Sequence, residues 1–336
     1  MTAPQAPFVE HDLAAPLPDA LRGAVLAIGN FDGVHRGHQH VLAYAMEEAK
    51  RLNTKCFALS FEPHPRTLFK PESPVFRLTP PPMKGQVLKA FGCDGLLTLA
   101  FTKELAGTRA EDFVTRYLVD NAGAAHVISG FNFHFGKSRE GSPAFLKEAG
   151  ERHGFGVTIV DAHHHDDEEE PVSSSRIRRC LGAGDMAGAA DLLGYRWTVS
   201  GEVVKGQQIG RTLGYPTANL ILPPSCKLAH GVYAVRFRCA DGMLYDGVAS
   251  YGRRPTFDNG AAWLETFVFD FKGDLYGEQV SVSLFDYLRG EEKFDSSEAL
   301  VAQMNQDSQA ASAALKNAMP LSALDEALNF AGGSHG

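Results

Sequence analysis

The sequence predicts two domains of different class, a doubly wound α/β domain with a parallel sheet and then an antiparallel barrel or sandwich. Three observations carry this. Short apolar strands alternate with amphipathic helices as far as about Leu193. After Tyr195 the helical period gives way to closely spaced strands broken by glycine-rich turns. The length of 336 residues suits two domains at roughly 150 residues each.

In the first half GAVLAIG is a buried strand, and Gln39 to Arg51 is a helix. TKCFALSFE is the second strand, a helix from Pro82 to Phe91 follows, and GLLTLAF is the third strand. A helix over Ala110 to Asn121 leads to AAHVIS, and one over Ser142 to His153 leads to GVTIVDA. Such alternation implies parallel pairing, with ligands at the carboxyl ends of the strands. The proline-rich stretch from Pro63 to Pro82 reads as an exposed, mobile flap over that edge.

In the second half WTVSGEVV, ANLIL, VYAVRFRC, LYDGVAS, the Trp263–Phe271 run and QVSVSLF are short strands. A helix then starts with Asp295 as its cap and Glu298 three residues on, a capping-box arrangement. The boundary falls near residue 194, giving domains 1–193 and 194–330.

Net charge is −8, which argues against a nucleic-acid binder relying on a basic surface. The five cysteines stand alone, with no CxxC and no zinc-finger spacing, as reduced thiols do. No apolar run approaches the ~18 residues of a membrane helix, and the first residues lack the pattern of a secretory signal. These features predict a cytoplasmic protein with small-molecule ligands, and they leave the oligomeric state open. HHHDDEEEP, residues 163 to 171, reads more simply as a solvated loop than as a metal site.

The first strand runs straight into Gly29-Asn30-Phe31-Asp32-Gly33-Val34-His35-Arg36-Gly37-His38, where a helix begins. Glycines let the backbone approach a ligand closely, and a helix start offers unpaired N–H groups and the positive end of its dipole. His35 and His38 are three apart and share a face if both lie in the first turn. Two imidazoles there can stabilise charge developing on a phosphorus. A glycine-rich turn with surface histidines is the plainer reading of HxxH by itself. No GxGxxG follows the first strand, which argues against a dehydrogenase. Gly130 to Ser138 resembles a P-loop but has five residues between its glycines, where a P-loop has about four.

In the second half Thr217 and Asn219 are two apart, so on a strand their oxygens point the same way. Both are hard donors suited to Mg²⁺, and Gly206, Gly210 and Gly214 precede them. A barrel strand after a flexible loop explains the same residues without a metal. Glu265 shares its face with Trp263, Phe267, Phe269 and Phe271. A carboxylate buried among aromatics costs several kcal/mol without a partner, so either that face reaches solvent or the acid has a task, such as taking a proton from a hydroxyl.

GNFDGVHRGHQ, FEPHP, GFNFHFGKSREG and SSSRIR, in this order, resemble the adenylyltransferase half of bacterial bifunctional riboflavin kinase/FAD synthetases. GRTLGYPTANL, GVYAV, GRRPTF, ETFVFDFKGDLYG and LRGEEKF resemble the riboflavin kinase half. The resemblance implies a Rossmann-like nucleotidyltransferase domain, then a six-stranded barrel with a C-terminal helix. It implies that His35 and His38 hold ATP phosphates, with Gly29, Asn30, Phe31, Asp32 and Gly33 around them. Ser173, Ser174, Ser175 and Arg178 would clamp the β- and γ-phosphates, and Asn132, where many relatives have Asp, would stand near the flavin or adenine. Thr217 and Asn219 would bind Mg²⁺ and ATP, with Glu265 as the base for the riboflavin 5′-hydroxyl. The implied sequence is riboflavin to FMN, then FMN to FAD with release of pyrophosphate. A nucleotidyltransferase for another acceptor, or a non-catalytic flavin-binding module, would each lack a reason to carry both motif sets. Ser250-Tyr251 departs from the Asn-Ile or Asn-Leu common in relatives.

Overall fold

The chain folds as two compact units, Met1–Val75 with Lys84–Val172, and Phe76–Met83 with Ser173–Gly336. The structure, a computed structural model, describes residues 7–163, 170–206, 210, 214–253 and 262–332. Most of HHHDDEEE, Arg211 to Leu213 and most of GRRPTF lie outside the described residues.

The first unit is built on a parallel sheet of β1 (Val9–Asp12), β2 (Val25–Ile28), β3 (Cys56–Glu62), β4 (Gly95–Ala100), β5 (His126–Gly130) and β6 (Gly156–Val160). The strand order is β1-β4-β3-β2-β5-β6. Five of these strands are the apolar runs expected. The sixth, β1, reads VEHD and adds to β4 at the sheet edge, where one side stays exposed and no apolar run is required. Since β2 is flanked by β3 and β5, the order reverses there, and the crevice beyond its carboxyl end is the natural ligand position.

Helix α1 (Arg36–Leu52) follows β2 and buries Leu42, Ala45 and Ala49 against the sheet. Short α2 (Pro65–Phe69) and α3 (Met83–Phe91) follow β3. Beyond β4 come α4 (Lys103–Gly107) and α5 (Ala110–Phe113), which continues as a π-wound turn over Val114–Asn121. α6 (Pro143–His153) precedes β6. Leu26, Ile28, Phe57, Leu59 and Val127 form one face of the core, joined by Phe113, Leu118 and Leu146 from the helices.

The second unit holds α7 (Ser174–Ala183) and α8 (Met186–Leu193) ahead of an antiparallel sheet. Its strands are β7 (Thr198–Glu202), β8 (Thr217–Leu222), β9 (Gly231–Arg238), β10 (Leu244–Arg253), β11 (Ala262–Val268) and β12 (Gln279–Arg289), ordered β7-β12-β9-β10-β11-β8. The Val204 N–H donates to the Asn219 carbonyl at 2.9 Å, so the chain leaving β7 meets β8 and the sheet is nearly closed into a barrel. α9 (Ser297–Lys316) packs against β9, β10 and β12, and α10 (Ala323–Asn329) ends the fold.

Two local readings change. The cap of α9 is Ser296 rather than Asp295, because its hydroxyl accepts from the Ala299 N–H at 3.1 Å. The proline-rich stretch is not one exposed flap. Phe76, Leu78, Thr79 and Met83 are buried, and the Trp197 Nε1–H donates to the Leu78 carbonyl at 2.9 Å. The apolar residues between the prolines are what anchor that half of the stretch in the second unit.

Candidate active sites

In the first unit the turn between β2 and α1 has left-handed backbone at Phe31 (φ 46°), Gly33 (φ 91°) and Val34 (φ 37°). That conformation is free for glycine but strained for Phe and more so for branched Val. The buried Phe31 and Val34 side chains hold it in place. His35 caps α1, its Nδ1 accepting from the His38 N–H at 3.3 Å. The His35 and His38 rings stack with centroids 3.7 Å apart at 16°, and Phe31 meets His38 edge-on with centroids 5.3 Å apart. His38 Nδ1 is buried and has no hydrogen-bond partner. Burial, the His35 ring and the Lys84 ammonium hold His38 well below the ordinary imidazole value.

Such a ring is neutral near pH 7 and presents an unmet polar atom inside a turn of backbone amides, at a helix start. The chemistry it suits is hydrogen bonding to an anion. Gly29, Asn30, Asp32 and Gly33 complete the turn, with Asp32 and Gly33 buried.

Sequence reasoning missed Lys84. It lies on α3 and is 1% exposed, and its ammonium donates to the Asn30 carbonyl, Ser60 Oγ and Glu62 Oε1 at 2.9, 2.8 and 2.8 Å. The signal was present, because Lys84 sits three and four residues before Val87 and Leu88, on the buried face of its helix.

Asn132 is exposed in the turn after β5, at the carboxyl edge of the sheet. Phe131 beside it and Phe69 on α2 are exposed aromatics, at 47% and 67%. The other rings of the P-loop-like segment, Phe133 and Phe135, pack into the core instead.

Ser173 to Arg178 start α7, which packs within the second unit. Ser173 is the helix cap, its hydroxyl accepting from the Arg176 N–H at 3.3 Å, while Ser175 is exposed. The Arg178 Nε donates to the Phe76 carbonyl at 2.6 Å. The preceding residue, Val172, comes close to the first turn of α1, where a Cβ at Gly37 would lie 3.5 Å from its carbonyl.

In the second unit Thr217 and Asn219 open β8 and line a cavity of about 270 Å³, together with Val203, Phe271, Asp274 and Tyr276. Asn219 is 4% exposed, and its Oδ1 has no hydrogen-bond partner. A buried amide oxygen without a partner costs about 1–3 kcal/mol, so its retention points to an absent ligand. A hard oxygen beside a threonine hydroxyl suits Mg²⁺. Gly210 lies close against the chain that enters β8, because a Cβ there would lie 2.3 Å from the Tyr215 carbonyl. Gly206 is half-buried and Gly214 takes φ 86° in a turn.

Glu265 on β11 pairs directly with Asn219 on β8 and with Ser250 on β10. Directly paired residues share a face with Cβ atoms about 4.5–5.5 Å apart, so Asn219, Glu265 and Ser250 form one row. Glu265 is half-buried, and its neighbours Phe267 and Phe269 pack against the cluster that holds Ala311 and Leu315 of α9. Its face therefore reaches solvent at Glu265 and is covered farther along. Ser250 is exposed at the end of that row, while Tyr251 is buried on the opposite face. The Tyr215 hydroxyl donates to Asn305 Oδ1 at 2.6 Å, tying the start of β8 to α9.

The family described as FAD synthetase matches residues 17–176, and that described as riboflavin kinase matches residues 193–315. A bifunctional riboflavin kinase/FMN adenylyltransferase of Pseudomonas fluorescens is 42% identical over 295 residues, covering 87% of this chain and 93% of that protein. The chain belongs to the bifunctional riboflavin kinase/FMN adenylyltransferase family. The member from Escherichia coli K12 is 36% identical over 285 residues, covering 85% of this chain and 90% of that protein. A crystal structure described as a macrolide-efflux protein from Streptococcus pneumoniae is 30% identical with a TM-score of 0.78, covering 93% of this chain and 99% of that one. Among the described residues no helix is long and apolar enough to cross a membrane. The chain uses ATP to convert riboflavin to FMN and FMN to FAD.

Proposed function

We propose that each reaction has its own set of residues, with the functional border between residues 193 and 194. The support is the segregation of two constellations, a stacked histidine pair in the first unit and the Asn219–Glu265 row in the second.

In adenylyl transfer an FMN phosphate oxygen attacks the α-phosphorus of ATP in line. The new P–O bond forms as the α–β bridge breaks, and pyrophosphate leaves. No protein nucleophile is needed, so positioning and charge stabilisation carry the rate. The amides of Gly29 to Gly33 and the start of α1 cradle phosphate oxygens. His35 and His38 donate to the oxygens on which charge builds. Ser173, Ser174, Ser175 and Arg178 hold the β- and γ-phosphates. Asn132 contacts the flavin or adenine, and the exposed Phe69 and Phe131 offer apolar area to the isoalloxazine ring.

In the kinase reaction Glu265 takes the proton of the riboflavin 5′-hydroxyl as that oxygen attacks the γ-phosphorus, and ADP leaves. Thr217 and Asn219 would hold Mg²⁺, which neutralises charge on the β- and γ-phosphates when bound. Gly206, Gly210 and Gly214 let the backbone wrap the phosphates. The reduced cysteines and the −8 charge support a cytoplasmic enzyme with small-molecule substrates and no nucleic-acid partner.

The assignment is tested by supplying each half with its own substrate. His38→Ala should still convert riboflavin to FMN and fail to convert FMN to FAD, and Asn219→Ala the reverse. Loss of both reactions in either folded variant would overturn the assignment.

A further inference from the structure

An ammonium at 1% exposure is costly unless each of its protons is met, and Lys84 meets three acceptors, one in the turn after β2 and two on β3. Asn30 belongs to the turn after β2, Ser60 lies within β3, and Glu62 ends β3. The Asn30 carbonyl takes a second bond, from Ser60 Oγ at 3.0 Å.

We propose that Lys84 is the positioning residue of the adenylyltransferase centre. Its ammonium, ion-paired with Glu62 at 2.8 Å, pins the strained turn at Asn30 to the end of β3. The inference rests on assigning that turn to adenylyl transfer and adds to it a residue outside the motifs.

Two arguments favour this over a plain structural plug. First, Phe31 and Val34 at positive φ lie just beyond the carbonyl that Lys84 holds, and strained backbone persists only where its surroundings over-determine it. An apolar side chain would fill the volume without holding that carbonyl. Second, after burial and the His35 ring, the Lys84 ammonium also disfavours the imidazolium of His38, so it helps to keep the ring neutral. Charge and tether thus act on the same turn.

The test uses the full chain with Lys84→Met, Lys84→Arg and the charge-balanced pair Lys84→Met/Glu62→Gln. The readouts are adenylylation of FMN, amide exchange of Phe31 to Val34, and ring titration of His38 by NMR. Riboflavin kinase activity reports that the second unit is folded. For Lys84→Met, kcat for adenylylation should fall about 100-fold, the size expected for a misplaced reacting group. Exchange in the turn should speed up, and the His38 midpoint should move upward. Lys84→Arg, which keeps the charge, should leave that midpoint low. If Lys84→Met alone unfolds the first unit, the balanced pair carries the same expectations for rate and exchange.

Adenylylation close to the parent rate, with exchange and titration unchanged, overturns the inference. Loss with His38→Ala but none with the Lys84 variants overturns it while sparing the assignment of the turn. No loss with His38→Ala overturns that assignment, and exchange and titration then decide whether the tether exists.

Discussion

Replacing Asn219 by Leu separates function from stability in the second unit. The side chain is 4% exposed and its Oδ1 has no partner, so the ligand-free fold carries an unmet amide oxygen. Leucine has the same branching and number of heavy atoms and removes that cost of about 1–3 kcal/mol. The backbone bond from the Val204 N–H to the Asn219 carbonyl, at 2.9 Å, is untouched. Without ligand, the variant should unfold about 2–4 °C higher for each kcal/mol gained. Its riboflavin kinase rate should fall by about 100-fold or more, the size seen when one preorganised group that stabilises the reacting charge is lost. Thermal scans with and without Mg·ADP make the contrast sharp. The parent should gain about 2.7 kcal/mol at a hundredfold excess over Kd, and the variant much less. A variant that melts lower than the parent yet phosphorylates riboflavin at the parent rate would refute the claim that Oδ1 awaits a ligand.

The other expectations are more direct. Glu265→Gln should lower riboflavin phosphorylation by about 10²–10⁴-fold and leave adenylylation of supplied FMN unchanged; parallel assays of both reactions check this. His38 faces His35 and Lys84, and its folded value lies well below 6.5, so acid protonates the unfolded chain first. Its contribution to stability should be full above pH 6.5 and drain as pH falls through the depressed folded value. Urea titrations from pH 7 downward should therefore show a steeper acid loss in the parent than in His38→Gln; equal slopes count against it. Asp325 is fully buried, pairs with Arg196 and accepts from the Arg196 and Leu321 N–H groups and Asn329 Nδ2. Asp325→Ala should therefore cost about 3–5 kcal/mol in urea unfolding, because it leaves the Arg196 charge uncompensated.

The strands that build both units were legible because each is an apolar run of ordinary strand length, and the change of class after Tyr195 is a change of period. β1 was not legible, since an edge strand reading VEHD needs no apolar face. The burial of Phe76, Leu78, Thr79 and Met83 was hidden by the prolines around them, whose loop signal is local while the packing of Phe76 against Trp197 is not. At the sites, spacing placed His35 and His38 in one turn, and i, i+2 alternation placed Thr217 and Asn219 on one face. The pairing of Asn219 with Glu265, 46 residues away in sequence, depends on barrel register, which no local pattern encodes. The task of Lys84, though not its place on the buried face of α3, was hidden for a related reason. A lysine in a helix is ordinarily solvated, and only the three acceptors gathered around it reveal its task.

The central claim is that riboflavin phosphorylation and FMN adenylylation use separate residues in one chain. Its most direct test mixes two variants, His38→Ala and Glu265→Gln, in equal amounts with riboflavin and Mg·ATP and follows the flavins by chromatography. The account predicts that neither variant alone turns riboflavin into FAD, and that the mixture does, with FMN appearing first. A mixture that makes no FAD, although one variant still makes FMN and the other still adenylylates supplied FMN, would contradict it.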